Sequence, residues 1–386
     1  MNLLFLVDLQ RRSVGGGVYS LFKFAEALAG LGHQVDFFWI DEPRLFRVNE
    51  ALNLSLHTRA VIRGSFRGSL FLDRCLDGAY DRSILRRFLK KKGENLDFII
   101  GHQTRTAIKA VTIGEMLGVK IANFVFETPG WLRDRLVSGW EDKWKNARLR
   151  KDWDEFHDAL LRSDLIFPNS WSTKSHVEEW LSVPVGDPVF PAIDRPARKD
   201  LPPGEKEQII YVGRLRDHKN VPELIEALSR VEGAPLLVIC GVGPEEKMLR
   251  IQAARLNVRC DFRGLVSEAE KWSLIAESRF MVFPSSFEGF GMPPMEALVQ
   301  GIPCLAADIP ILREVYGEHL EYFREHDIDK LTDRIRDLLN RPEYCRRRGE
   351  EGRAFVEARF SWESSARKIE GLLWRSLRRN PCDTGK

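Results

Sequence analysis

Residues 283–301 read FPSSFEGFGMPPMEALVQG, and their local chemistry decides what kind of fold the chain can adopt. An apolar run ends at Phe283, a turn follows in which Gly289 and Gly291 flank Phe290, and Pro293 and Pro294 open a helix. Proline is favoured in a first helical turn because the N–H it lacks would have had no partner there. A buried strand, a glycine turn and a helix in succession are the repeating unit of a parallel α/β sheet. Glycines ahead of a helix N-terminus let backbone N–H groups close on an anion, and the helix dipole favours its charge. The spacing E-x7-E puts Glu288 on the turn and Glu296 just inside the helix, one carboxylate on each side of that loop. Each can accept hydrogen bonds from sugar or ribose hydroxyls. The same residues also fit a plain glycine turn capping a helix, with two solvated glutamates.

Working outward, short apolar runs alternate with longer amphipathic ones, the pattern of βαβ units. Around the quoted stretch it predicts strands at 209–212, 236–240, 280–283 and 304–306. Helices are predicted at 222–228, 245–256, 268–276, 294–299 and 328–339. The N-terminal half repeats the scheme, with strands at 3–7, 35–40, 98–100, 121–126 and 165–168. Its helices are expected at 18–31, 106–117, 153–161 and 173–181, the last N-capped by Asn169-Ser170. Residues 184–204, with Pro188, Pro191, Pro196, Pro202 and Pro203, break both helix and strand and are the linker candidate. The tail, 361–379, is one amphipathic helix with apolar Ile369, Leu372, Leu373 and Leu377. A length of 386 residues is long for one α/β domain and sufficient for two cores, so two doubly wound domains are expected.

Composition narrows the class. A net charge of +3 is too small to imply nucleic-acid binding. The six cysteines (Cys75, Cys240, Cys260, Cys304, Cys345, Cys382) form no C-x-x-C pair and several sit in apolar runs. That pattern predicts a reducing compartment, with neither a disulfide framework nor a zinc site. The opening MNLLFLVD is short and lacks a basic lead, so it reads as a buried first strand, and no run approaches the ~18 apolar residues of a membrane span. A cytoplasmic protein is expected. Residues 58–92 nevertheless carry ten Arg or Lys against Asp73, Asp77 and Asp81, interleaved with Leu70, Phe71, Leu72, Leu85 and Phe88. Such a basic amphipathic surface suits peripheral contact with an anionic membrane, and a solvated basic face accounts for it equally well.

A second chemical element is YVGRLRDHKN, residues 211–220. Gly213 follows an apolar strand, and Arg214 and Lys219 offer a diphosphate one planar fork and one point charge. Ligands of open α/β sheets gather beyond the carboxyl ends of strands, where this loop and the E-x7-E loop both fall. Gly241-Val242-Gly243-Pro244 follows another strand and forms a possible third wall. In the first half, Gly15-Gly16-Gly17 precedes a helix without the G-x-G-x-x-G pattern of a dinucleotide site, so it serves either phosphate or sugar approach or a structural turn. His102, in FIIGHQTRT, also follows a strand. No histidine shows metal-ligand spacing.

Gly15-Gly16-Gly17, His102, YVGRLRDHKN, GVGP, the block from Glu288 to Glu296 and the closing FSW at 360–362 together resemble glycosyltransferase family 4 over nearly the whole chain. The resemblance implies the retaining GT-B fold: two Rossmann-like domains facing each other across a cleft, 1–188 plus a returning C-terminal helix 362–380, and 189–361. It implies a metal-independent hexosyl transfer from a nucleotide-diphosphate sugar to a glycan or lipid-linked acceptor. Arg214 and Lys219 would bind the diphosphate, Glu296 the ribose and Glu288 the transferred sugar. Gly289, Phe290, Gly291 and Met292 would line sugar and phosphate, with Gly16 and Gly17 against the phosphates and His102 near the sugar. By the same analogy Glu288, His102, Arg214 and Lys219 form the catalytic group. Residues 301–317, GIPCLAADIPILREVYG, resemble mannosyltransferase-type members, which favours GDP-mannose over a UDP-sugar as donor. A nucleotide-sugar epimerase of the same plan and a non-catalytic nucleotide-sugar binding protein are the competing readings.

Overall fold

The computed structural model describes residues 1–8, 16–39, 61–63, 95–128, 147–194 and 207–378. Gly15, Cys75, Cys382, residues 195–204 of the linker and the basic stretch 58–92 apart from 61–63 lie outside the described residues. The chain divides into two compact units, Met1–Ala192 with Trp362–Lys386, and Ile193–Ser361.

The first unit holds β1 (Asn2–Val7), α1 (Gly16–Gly30), β2 (Gln34–Trp39), β3 (Val61–Arg63), β4 (Phe98–His102), α2 (Gln103–Leu117), β5 (Lys120–Val125), α3 (Ala147–Leu161), β6 (Leu165–Pro168) and α4 (Trp171–Leu181). Its sheet runs β3-β2-β1-β4-β5-β6, with every neighbouring pair parallel. Ser170 caps α4 as expected, its side chain accepting from the Thr173 N–H at 2.9 Å. The proline-rich stretch begins inside this unit rather than as a free linker. Val189 is fully buried in the first core, and its N–H donates to the Pro168 carbonyl at 2.8 Å.

The second unit repeats the plan with β7 (Gln208–Val212), α5 (Val221–Ser229), β8 (Leu236–Cys240), α6 (Glu246–Arg255), β9 (Cys260–Gly264), α7 (Glu268–Ala276), β10 (Ser278–Phe283), α8 (Met292–Val299), β11 (Cys304–Ala307), α9 (Pro310–Tyr316), β12 (Glu321–Phe323), α10 (Ile328–Leu339) and α11 (Pro342–Arg359). Its sheet runs β12-β11-β10-β7-β8-β9, again all parallel. Counted within each unit, both sheets have the order 3-2-1-4-5-6 of the Rossmann fold, which reverses direction between its first and fourth strands. Those reversals fall at β1/β4 and β7/β10. α12 (Trp362–Arg378) then returns to the first core, burying Ala366, Ile369 and Leu373 against it, while Trp362 meets Phe24 edge-on at 5.2 Å.

Several elements are missing from the sequence reading. β9 and β12 are edge strands, β9 with a half-buried CDFRG sequence too polar to register as an apolar run. α11 packs on α8 and buries Cys345, Gly349, Gly352 and Val356, a face with almost no hydrophobic signal. A Cβ on Gly349 would stand 1.9 Å from the Gly301 carbonyl oxygen, and one on Gly352 would stand 2.4 Å from Leu298 Cδ2.

That packing reverses an ordinary expectation. Alanine for glycine inside a helix usually adds about 1 kcal/mol of stability. Gly371→Ala, in α12 with nothing within 4 Å of its missing Cβ, should raise the unfolding midpoint in that way. Gly349→Ala should lower stability by roughly 1–3 kcal/mol, because the new methyl meets backbone that cannot swing aside. Denaturant unfolding of the two variants with the same sign would contradict this packing.

Candidate active site at the second switch point

The loops that follow β7 and β10 are adjacent because their strands are adjacent. After β7 the backbone passes Gly213 and Arg214, the latter exposed, and closes a 3-10 turn over Asp217–Lys219. Asn220 ends the turn at φ +51, a left-handed conformation that asparagine tolerates better than other side-chain-bearing residues. Asn220 also ties the two loops together, its Nδ2 donating to the Pro284 carbonyl at 3.0 Å. The His218 carbonyl accepts from the Ser286 N–H at 2.9 Å and the Ser286 hydroxyl at 3.1 Å. The polar backbone of one loop is thus satisfied by the other.

This lacing brings Lys219 and Glu288 into direct contact. Their side chains form an ion pair and are only 12% and 11% exposed, with the Lys219 ammonium 5.7 Å from the Phe283 ring centroid. The family resemblance assigned the two residues to different parts of a ligand, and the structure pairs them with each other. Further on, Gly291 begins α8 at φ +88, and the Tyr316 hydroxyl donates to its carbonyl. Phe290 is 4% exposed, with its ring 6.0 Å from that of Phe360, so its side chain anchors the loop in the core and only its backbone can meet a ligand. Pro293 and Pro294 have no N–H, which confines the helix-end donors before Met295 to the backbone of Gly289 to Met292.

Glu296, in the second turn of α8, does not point to free solvent. Its Oε1 accepts from Lys271 Nζ on α7 at 2.8 Å, and Lys271 also reaches Glu268 at 2.9 Å. Burial opposes the charge on Lys271, but Glu296 and Glu268 outweigh it and hold the ammonium well above its usual range. Sequence reasoning missed Lys271. The Ser267-x-x-Glu270 capping box, in which the Ser267 hydroxyl accepts from the Glu270 N–H at 3.2 Å, does mark where α7 starts. It cannot reveal which helix the fourth residue faces.

The glycines of the third wall prove to be structural. A Cβ on Gly241 would lie 1.8 Å from the Gly213 carbonyl oxygen, and one on Gly243 would lie 2.0 Å from that of Leu215. The Gly213 and Leu215 N–H groups donate to Cys240 and Val242 at 3.0 and 3.1 Å, so the β7 and β8 loops lie backbone on backbone. Among the described residues no group of three or more His, Cys, Asp or Glu is arranged to hold a metal ion.

In the first unit, Gly16 and Gly17 open α1, where a Cβ on Gly17 would touch Phe126 Cδ2 at 2.9 Å. His102 ends β4, 3% exposed, its ring edge-on to Phe126 at 6.2 Å and its Nδ1 3.2 Å from the Thr106 hydroxyl. Gly17 and His102 therefore meet the same phenylalanine at the first switch point. Beside them Asp8, at the end of β1, pairs with Arg105 at 2.9 Å. Burial pushes the His102 imidazole down to about 4, so it is neutral at physiological pH.

Comparison with known proteins places this geometry. Residues 193–355 match the family described as glycosyl transferases group 1. The serotype-specific mannosyltransferase WbdA of Escherichia coli is 29% identical over 236 residues, 55% of this chain and 29% of that protein. The MMP alpha-(1->4)-mannosyltransferase of Mycolicibacterium hassiacum is 32% identical over 187 residues, 47% of this chain and 43% of that protein. The chain thus spans less than half the length of either relative. Sucrose-phosphate synthase from Thermosynechococcus elongatus shares the fold, with a TM-score of 0.76 at 19% identity, covering 97% of this chain and 98% of that one. The fold is GT-B.

A buried neutral histidine has a measurable consequence. Its pKa is about 4 folded and near 6.5 unfolded, so the unfolded chain binds more protons between those values. Its contribution is complete above pH 6.5 and is lost as pH falls towards 4, a span of about 3 kcal/mol. His102→Gln should show a shallower decline of unfolding free energy over pH 7 to 4 than the parent. Parallel curves would mean that His102 is not buried in this way.

Proposed function

Because the chain carries a group 1 glycosyl transferase domain over residues 193–355, we propose that it transfers a hexose, mannose first, from a nucleotide-diphosphate sugar to a glycan or lipid-linked acceptor. The observation that carries this reading is the meeting of Lys219 and Glu288, from separate loops, at the switch point between β7 and β10. Open α/β sheets bind ligands at that point. The mannosyltransferase relatives and the segment 301–317 favour GDP-mannose, with UDP-sugars second.

Sugar transfer develops positive charge at the ring and negative charge on the departing diphosphate. Arg214, Lys219 and the N–H groups ahead of α8 stabilise the leaving charge, which speeds transfer because the interaction strengthens as that charge grows. Lys219 is paired with Glu288, so an arriving diphosphate competes for the ammonium and releases the carboxylate towards the sugar hydroxyls. Glu296 holds the ribose. The first unit's switch point, with Gly16, Gly17 and His102, is assigned to phosphate and sugar contacts, where a neutral imidazole exchanges hydrogen bonds without adding charge. Retention of configuration follows from the family analogy. No described helix is long and apolar enough to cross a membrane, and peripheral contact through residues 58–92 remains part of the proposal.

Thermal-shift measurements against GDP-, UDP- and ADP-sugars should raise the midpoint with one base only, since a ligand binding only the folded state must stabilise it. With that donor, Glu296→Gln should raise the Michaelis constant and change turnover little, whereas Glu288→Gln and Lys219→Ala should each cut turnover more than donor affinity. Because the last two residues touch, their double variant should lose less than the product of the single losses. EDTA should leave the rate unchanged, and a strict requirement for a divalent ion refutes this mechanism. Epimerised donor without transferred sugar, or binding without turnover, refutes the assignment as a transferase.

A further inference from the structure

The Lys271–Glu296 contact is not part of the transfer chemistry, and its geometry is unusual for a structural ion pair. Both side chains are nearly buried, 14% and 12% exposed, whereas most ion pairs of this unit lie on its surface. Taking two charges out of water costs several kcal/mol per ion, recovered only where geometry and further hydrogen bonds are good. Lys271 meets that condition with two carboxylates, Glu296 at 2.8 Å and Glu268 at 2.9 Å, and lies 5.2 Å from the Trp272 ring centroid. Glu296 does not meet it in the same way. Lys271 engages Oε1 alone, and Oε2 takes no hydrogen bond from any described residue and is not sealed from solvent. One oxygen is pinned and the other is presented.

We infer that Lys271 is a positioning residue: it fixes the Glu296 carboxylate in one orientation to accept the vicinal hydroxyls of the donor ribose. The inference rests on the assignment of Glu296 to the ribose. It adds a residue from a different helix, selected by contact. The helical phase that aims Lys271 is set by the Ser267 cap of α7, and the pinned carboxylate sits on α8, which packs against α7. Without the lysine, Glu296 would be a nearly buried carboxylate beside Glu268, which favours its protonated form or a rotation towards water. Either change removes acceptors that a diol needs, since a protonated carboxyl donates from one of its two oxygens. Lys271 itself does not touch the donor.

The test compares GDP with 2′,3′-dideoxy-GDP, and UDP with its dideoxy counterpart, by titration calorimetry on the full chain. The parent should prefer the ribose form of the diphosphate it binds. Lys271→Met should weaken that form roughly ten- to hundredfold, the range for a hydrogen bond to a charged group, and leave the dideoxy form within about twofold. The preference then collapses, which a merely structural defect would not produce, since it would weaken both forms alike. Lys271→Arg should keep most of the preference, and Lys271→Met combined with Glu296→Gln should bind no worse than Glu296→Gln alone. If Lys271→Met does not fold, Lys271→Gln takes its place with the same expectation. A Lys271 variant that keeps the full preference, while Glu296→Gln loses it, overturns the positioning role. If Glu296→Gln also keeps it, or neither diphosphate binds, the donor-site reading itself has failed.

Discussion

The closest constraint in the second unit is backbone against backbone. At Gly241 and Gly243 the β8 loop lies so near the β7 loop that a single added carbon would fall within 2.0 Å of a carbonyl oxygen. The hydrogen bonds from Gly213 and Leu215 to Cys240 and Val242 fix that contact. With its outer side held, the β7 loop turns inward through Asn220 and is laced to the β10 loop by the His218 carbonyl. The meeting of Lys219 and Glu288 depends on both attachments. Neither side chain is placed by its own strand alone.

Charge is handled in the same way throughout. Three cations near the switch points are matched to carboxylates on other elements: Lys219 with Glu288, Lys271 with Glu296, Arg105 with Asp8. A cation held half-buried without a partner would carry a desolvation cost, which each of these carboxylates offsets. Lys271 differs because it has two carboxylates.

Prolines and aromatic side chains refine the helix-end picture. Two prolines in the first turn of α8 remove donors, and the buried Phe290 ring sinks the loop into the core. Both features leave only a few specified backbone N–H groups free of the helix ladder, on a loop held by the bond from Tyr316 to the Gly291 carbonyl. In the first unit, Gly17 serves the same end by admitting the Phe126 ring, on which His102 rests.

Much of this was legible in the sequence. Apolar runs such as 209–212 and 236–240 declare strands because all-parallel strands are buried on both faces and cannot alternate. Caps, prolines and glycines mark where helices begin, so the loops carrying Arg214, Lys219, Glu288 and Glu296 could be placed at strand ends. Edge strands β9 and β12 and the glycine-faced helix α11 escaped, since short-range hydrophobicity is blind to an element that packs by backbone proximity. The partners escaped for a deeper reason. That Lys219 meets Glu288, 69 residues away, and Lys271 meets Glu296 from a neighbouring helix, depends on strand order and helix phase together. The sequence by itself determined which residue types stand at the strand ends, because local chemistry sets turns and caps. Only the tertiary structure decided which charge faces which, because that choice is made by packing between segments that the chain brings together from far apart.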